Sequence, residues 1–160
     1  MTFDIDVHVC LVSDQIAPNL LPAVDNNLGP KAKRVIMLVS TKMKAKGLAA
    51  VLKKHGIASE TVEIQDAYNF NEIREKLLNI LTDNEQQKLA LNLTGGTKIM
   101  TIAAQSMFAM EGLPVFYMIE RDNSALVMHN AGKLDPDTMM TVPLRQFATT
   151  GLSAGVWIYC

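Results

Sequence analysis

The chain has 160 residues, of which 49% are hydrophobic and 19% are charged, and its formal net charge at pH 7 is −1. This length and composition are typical of one folded domain with a single core, and they exclude a disordered chain. The near-neutral charge argues against general binding to duplex DNA, because such binding needs many Lys and Arg residues to neutralise phosphates.

The N-terminal segment predicts the first strand of a sheet. It is apolar and β-branched from Ile5 to Val12, and it lacks the preceding basic region of a signal peptide. No apolar run approaches the roughly 18 residues of a membrane helix, so we predict a cytoplasmic protein without a membrane partner. The cysteines, Cys10 and Cys160, show no metal-ligand spacing, and we expect neither a metal nor a cofactor.

Strands and helices then alternate along the chain. Six further segments have the composition of strands: Val35–Val39, Thr61–Ile64, Leu89–Leu93, Val115–Ile119, Ala125–His129 and Met140–Val142. Apolar residues at helical spacing predict four helices between the first five strands: one that ends at Gly29-Pro30, one that ends at Gly56, one capped by Asn69 with Glu72 as its capping-box partner, and one over Thr97–Glu111.

This alternation predicts an α/β fold of the doubly wound kind. Right-handed βαβ crossovers give a mostly parallel sheet with helices on both faces, and the last strands are expected to form an antiparallel C-terminal hairpin. We expect residues 1–145 to form the domain. Residues 146–160 are interpreted as a C-terminal tail or as the start of a linker.

Two polar loops are predicted to meet at the ligand-binding edge of this sheet. Ser13-Asp14-Gln15 follows the first strand and Thr94–Lys98 follows the fourth, and strand order reverses between these two strands in the common doubly wound topology. Gly95 and Gly96 permit positive φ and close approach of a ligand, while Lys98 and the next helix N-terminus attract anions. The pattern therefore favours binding of a small anionic ligand.

Other interpretations of this turn remain open at this point. A threonine that caps the helix after two glycines in a tight βα turn would give the same residues without any ligand. The turn lacks the G-x-x-x-x-G-K-[ST] pattern of a P-loop, and no G-x-G-x-x-G follows the first strand. NTP hydrolysis and NAD binding are therefore poorly supported.

The segment from Asn92 to Met100, NLTGGTKIM, resembles the N-x-T-G-G-T-K-x-M signature of CARF domains in type III CRISPR accessory nucleases. The resemblance implies a Rossmann-like homodimeric sensor in antiviral signalling. Its ligand would be a cyclic oligoadenylate, most often cyclic tetra-adenylate, held across the dimer two-fold by the loops after strands one and four.

The resemblance also implies site residues. The motif itself carries over Thr94, Gly95, Gly96, Thr97 and Lys98, and place in the fold adds Ser13, Asp14 and Gln15. Thr41 and Lys42 follow the second strand, where we expect them to line an adenine pocket. A C-terminal effector nuclease domain is a further implied partner, and these 160 residues do not contain one.

Three functions are compatible with such a site. A sensor that only binds the ring is favoured, because no residue of the motif is an obvious general base. A ring nuclease would use the ribose 2′-hydroxyl as nucleophile without a metal, with Lys98 stabilising charge and Ser13 or Thr97 orienting the nucleophile. A protein that stores the signal or controls a DNA-binding partner is the third alternative.

Overall fold

A computed structural model describes residues 3–40, 42–129 and 139–144 of the chain. The predicted tail at residues 146–160 lies outside this part. The described elements, in chain order, are β1 (Val7–Leu11), α1 (Ala17–Val24), β2 (Arg34–Val39), α2 (Lys42–Lys54), β3 (Ala58–Glu63), α3 (Phe70–Asp83), β4 (Leu89–Asn92), α4 (Lys98–Met110), β5 (Val115–Ile119), β6 (Ser124–His129) and β7 (Met140–Pro143).

The strands form one mixed sheet in the order β3-β2-β1-β4-β5-β6-β7. Strands β1 to β5 are parallel, and β6 and β7 are antiparallel to their neighbours. The chain runs outward from β1 to β3 and then returns to the other side of β1 with β4. Strand order therefore reverses between β1 and β4, and the predicted doubly wound sheet with an antiparallel end is confirmed.

Helices cover both faces of the sheet, because each central strand is apolar on both sides. Val9 and Leu11 of β1 belong to a core cluster that includes residues of α3 and α4. Cys10 and Val12 belong to a second cluster with residues of α1 and α2. Burial on both faces fixes the register of β1, which pairs Cys10 with Asn92 of β4.

Helix α1 is shorter than its apolar pattern predicts. It ends at Val24, because Asp25 adopts an extended conformation with ψ 149°, and does not continue to Gly29. Pro22 lies inside the helix and lacks the N–H that would bond to the carbonyl of Pro18, four residues earlier. All eight residues of α1 are buried.

The predicted cap of α3 is confirmed for Asn69 and is wrong for Glu72. The side chain of Asn69 accepts a hydrogen bond from the Glu72 backbone N–H at 3.2 Å, as an N-cap does. The Glu72 carboxylate does not complete a capping box. It accepts instead from the backbone N–H groups of Gln65, at 2.5 Å, and Asp66, at 3.1 Å, and so it fixes the loop that precedes the helix.

The described sheet has a charged edge at β3. The first four residues of this strand are exposed, and its side chains include Glu60 and Glu63. Glu60 forms an ion pair with Arg34 of β2 at 3.4 Å. At the opposite edge, β7 ends at Pro143.

Two ionisable side chains in β1 are held neutral by burial. The ring of His8 packs edge-on against Phe116, with centroids 5.5 Å apart, and its Nδ1 has no hydrogen-bond partner in the described part of the chain. Burial lowers the pKa of His8 to about 4 and raises the pKa of the Cys10 thiol to about 12.

The lowered pKa of His8 predicts a loss of stability in mild acid. Below pH 6.5 the unfolded chain binds a proton at His8 that the folded chain does not bind until about pH 4, so the free energy of unfolding falls across this window. Between about pH 7.5 and about pH 5, this fall is expected to be about 2 kcal/mol larger for the native chain than for His8→Leu. Urea denaturation at both pH values measures it, and equal falls for the two proteins would contradict the assignment.

Candidate functional site

The two predicted loops do meet, and Gly95 is where they touch. A Cβ atom at Gly95 would overlap the carbonyl oxygen of Leu11 and would lie 3.0 Å from the backbone nitrogen of Ser13. The turn after β4 is therefore packed directly on the end of β1, with backbone against backbone. Gly95 serves this close approach and does not have a positive φ.

Gly96 is required by conformation as well as by space. Its φ is +81°, in the region that favours glycine, and a Cβ there would lie 2.9 Å from the Cβ of Leu11. The predicted positive φ is thus confirmed at Gly96 alone. Both glycines are needed for the packing of the turn itself, whether or not a ligand approaches.

The turn is hydrogen-bonded to the side chain of a buried asparagine, Asn92. The side chain of Asn92 accepts hydrogen bonds from the N–H of Thr94 at 3.0 Å and from its hydroxyl at 2.6 Å. The Thr94 hydroxyl in turn accepts from the N–H of Met118 in β5, at 2.8 Å. The proton of this hydroxyl is therefore committed to positioning the turn between two strands.

Asn92 also connects the turn to α1. Its Nδ2 donates to the carbonyl of Pro18 at 2.8 Å, and this carbonyl is the one that Pro22 leaves without a helical donor. The proline in α1 thus creates an acceptor that the asparagine of the motif satisfies.

Removing this side chain is expected to destabilise the protein. Asn92→Ala leaves the Pro18 carbonyl and the Thr94 N–H unpaired in the interior, at a cost of about 3 kcal/mol in the free energy of unfolding. Urea denaturation measures the loss, with Asn71→Ala on the exposed face of α3 as the control. Equal stability of the two variants would show that the network contributes little.

Thr97 is the N-cap of α4, and its side chain joins a third loop to the site. Its hydroxyl accepts from the Met100 N–H at 3.2 Å, as an N-cap does, and donates to the carbonyl of Ala67 at 2.9 Å. Ala67 lies in the loop between β3 and α3. Lys98 is the first residue of α4 and is exposed.

The loops after β1, β2 and β4 line a small cleft of about 120 Å³. It lies beyond the carboxyl ends of β1 and β2 and borders the N-terminus of α4, whose partial positive charge favours an anion. The lining residues are Val12, Ser13, Asp14, Ser40, Gly96, Thr97 and Met100. The cleft thus offers three hydroxyl groups and one carboxylate to a ligand.

The cleft contains some of the predicted site residues and not others. Those that line it are Ser13, Asp14, Gly96 and Thr97. Gln15 is exposed and follows the lining residue Asp14. Thr94 and Gly95 contact β5 and the end of β1, and Lys98 is the first residue of α4. Thr41 lies outside the described residues, and Lys42 begins α2. All of them stay predictions as ligand contacts.

Ser40 is a lining residue that the sequence reasoning missed. It directly follows β2, which pairs with β1, so its position at the same edge of the sheet could have predicted it.

In the described part of the chain, no three His, Cys, Asp or Glu side chains are grouped to hold a metal ion, and no helix is long and apolar enough to cross a membrane.

The fold of this chain is similar to that of several solved proteins. The chain is similar to Can2 from Sulfobacillus thermosulfidooxidans, solved in complex with cyclic tetra-adenylate, with 28% identity and a TM-score of 0.64 over 79% of this chain and 36% of Can2. The fold also matches protein VC1899 from Vibrio cholerae, with 16% identity and a TM-score of 0.74 over 89% of this chain and 37% of that one.

A third match is a type III CRISPR defence DNA nuclease activated by cyclic oligoadenylate, with 17% identity and a TM-score of 0.62 over 78% of this chain and 20% of the nuclease. This chain therefore spans just over a third of the length of the first two proteins and a fifth of the length of the third. No curated protein matches it by sequence. The model of the Card1 CARF domain family matches residues 7–144. The chain belongs to the CARF family, as its N-x-T-G-G-T-K-x-M segment suggested.

Proposed function

We propose that this CARF domain is a sensor that binds a cyclic oligoadenylate, with cyclic tetra-adenylate as the first candidate, in type III CRISPR signalling. The observation that carries the proposal is the motif turn, packed on the end of β1 beside the cleft and the α4 N-terminus. The similarity to Can2, which was solved with cyclic tetra-adenylate, supports the choice of ligand.

The chemistry of the cleft suits a nucleotide ring. The positive end of α4 and the Lys98 ammonium group attract phosphate, and the hydroxyls of Ser13 and Ser40 are partners for ribose hydroxyls. The Thr97 hydroxyl donates to Ala67, so it can only accept a further hydrogen bond from the ligand. Asp14 accepts hydrogen bonds and does not attract phosphate, so we assign it to a ribose hydroxyl or to a base N–H.

The size of the cleft favours a homodimer. A drug-sized ligand occupies roughly 300 Å³ or more, whereas the cleft holds about 120 Å³. One chain therefore accommodates only part of a four-nucleotide ring. A ring of this kind contains a two-fold axis, so two copies of the same loop can contact opposite nucleotides.

An exposed face of α4 is the proposed contact with the second copy. Ile102 and Met110 are 58% and 81% exposed, and they lie on one stripe of the helix with Lys98 and Ser106, at intervals of four residues. Because this stripe begins at the site, a partner seated on it brings a second cleft toward the first.

A sensor is favoured over a ring nuclease. The residues that line the cleft include no histidine and no cysteine, and Asp14 is the one carboxylate among them. Binding a ring needs only positioned donors and acceptors. We further propose a cytoplasmic protein whose ligand controls an effector nuclease, without direct contact to duplex DNA.

Calorimetric titration with cyclic tetra-adenylate tests the function, with cyclic hexa-adenylate as the alternative ring and linear tetra-adenylate as the control. One ring bound per two chains, recovered intact by chromatography after prolonged incubation, is the expected result. Linear products would make the protein a ring nuclease. Absence of heat with both rings would overturn the proposal.

A further inference from the structure

We propose that Tyr68 is a stacking platform for an adenine base of the ring. This inference rests on the proposed function, and it adds a residue outside the signature motif.

Tyr68 presents its ring to solvent. It is 74% exposed, and Phe70, two residues further on, is 44% exposed. Exposed aromatic side chains supply a large apolar area with a polar tip and are enriched at binding surfaces. The loop between β3 and α3 therefore offers an apolar face where the rest of the site is polar.

The loop is bonded directly to the wall of the cleft. The carbonyl of Ala67, the residue before Tyr68, accepts the hydrogen bond from the hydroxyl of Thr97 at 2.9 Å. Thr97 itself lines the cleft and caps α4. Tyr68 therefore directly follows the residue that is hydrogen-bonded to the wall of the cleft, and we infer that a base of a ring bound there comes within reach of its side chain.

The backbone that carries Tyr68 is ordered before any ligand arrives. Its own N–H donates to the side chain of Asp66 at 2.9 Å, and the N–H of Asn69 donates to the Asp66 carbonyl at 3.0 Å. The Glu72 carboxylate fixes the start of the same loop through two backbone N–H groups. The backbone beneath the ring therefore loses little conformational freedom on binding, which favours affinity.

The chemistry identifies a base as the partner. The exposed face of a tyrosine stacks on the π face of a purine, and truncating such a residue weakens binding by roughly 5-fold to roughly 150-fold per base. Phosphate and ribose have no such face. The polar cleft therefore binds the sugar and phosphate, and the Tyr68 side chain binds the base.

Calorimetry with cyclic tetra-adenylate on four proteins tests this assignment: the native chain, Tyr68→Ala, Tyr68→Phe and Leu78→Ala. Leu78 is the matched control, since it is 54% exposed further along α3. We expect Tyr68→Ala to weaken binding by roughly 5-fold or more, while Tyr68→Phe and Leu78→Ala bind as the native chain does. A ring with one adenine replaced by 2-aminopurine adds a direct reading, because stacking quenches its fluorescence.

The outcomes separate this inference from the proposed function. Native binding of cyclic tetra-adenylate, with Tyr68→Ala equal to it in affinity and in quenching, would overturn the role of Tyr68 and leave the sensor intact. Equal weakening by Tyr68→Ala and Tyr68→Phe would assign the effect to the hydroxyl and so overturn stacking. Absence of binding by the native chain would overturn both.

Discussion

Gly95→Ala is expected to abolish measurable binding of cyclic tetra-adenylate and to lower the free energy of unfolding by about 3 kcal/mol. The added methyl group meets the Leu11 carbonyl and the Ser13 amide, and neither can rotate away because both are backbone groups. The turn must therefore lift off β1, which opens the cleft. Thermal denaturation and calorimetry measure the two effects.

Gly47→Ala provides the matched control. Gly47 lies in α2, where a Cβ would meet the end of the flexible Ile16 side chain at 3.0 Å, and alanine favours a helix more than glycine does. This variant is expected to keep its stability and its affinity. If Gly95→Ala behaved in the same way, the described contact between the turn and β1 would be wrong.

Lys98→Ala is expected to weaken binding by roughly tenfold or more while leaving the melting temperature unchanged. The Lys98 side chain is exposed at the first position of α4, so its removal leaves the core intact, and we propose that its charge acts on the ligand. The affinity of the native chain should also fall more steeply with salt than that of the variant. Calorimetry at two salt concentrations measures both.

Lys53→Ala tests whether an effect of Lys98→Ala comes from a local contact with the ligand or from the loss of one positive charge anywhere on the protein. Lys53 is exposed in the last turn of α2, at the opposite end of the helical layer from the cleft. We expect its removal to leave the affinity nearly unchanged. Unchanged affinity in Lys98→Ala as well would remove Lys98 from the site.

Much of the fold was predictable because it depends on local pattern. Apolar segments such as Val35–Val39 and Val115–Ile119 lie within or coincide with strands of the structure. The alternation of strands and helices then restricts the topology to a few possibilities, and the common one brings the ends of β1 and β4 together. The predicted meeting of two loops follows from this topology and is confirmed by the packing of Gly95.

The supporting contacts of the site could not be predicted in the same way. The hydrogen bond from Asn92 to Pro18 joins residues 74 positions apart, and it uses a carbonyl to which Pro22 cannot donate. The capping-box pattern assigned Glu72 to Asn69, but two loop N–H groups proved to be nearer partners. Such contacts depend on how elements dock, which no local spacing encodes.

The two glycines also have a different role from the one that their sequence suggests. Their sequence suggests room for a ligand against bare backbone, whereas the structure shows that a side chain at either position would collide with Leu11. A substitution such as Gly96→Val would therefore disrupt the turn in any case. It reports on the packing of the loop and cannot by itself locate a ligand.

The glutamates of β3 have a consequence for how copies of this domain associate. An unpaired edge strand invites another strand to extend the sheet, and charged side chains on it oppose this. A second β3 laid alongside the first would bring Glu60 and Glu63 close to their own copies, and Pro143 at the other edge has no N–H to donate. Edge-to-edge pairing between copies of the described sheet is therefore disfavoured at both edges, which leaves the helices as the surface for the dimer that we propose.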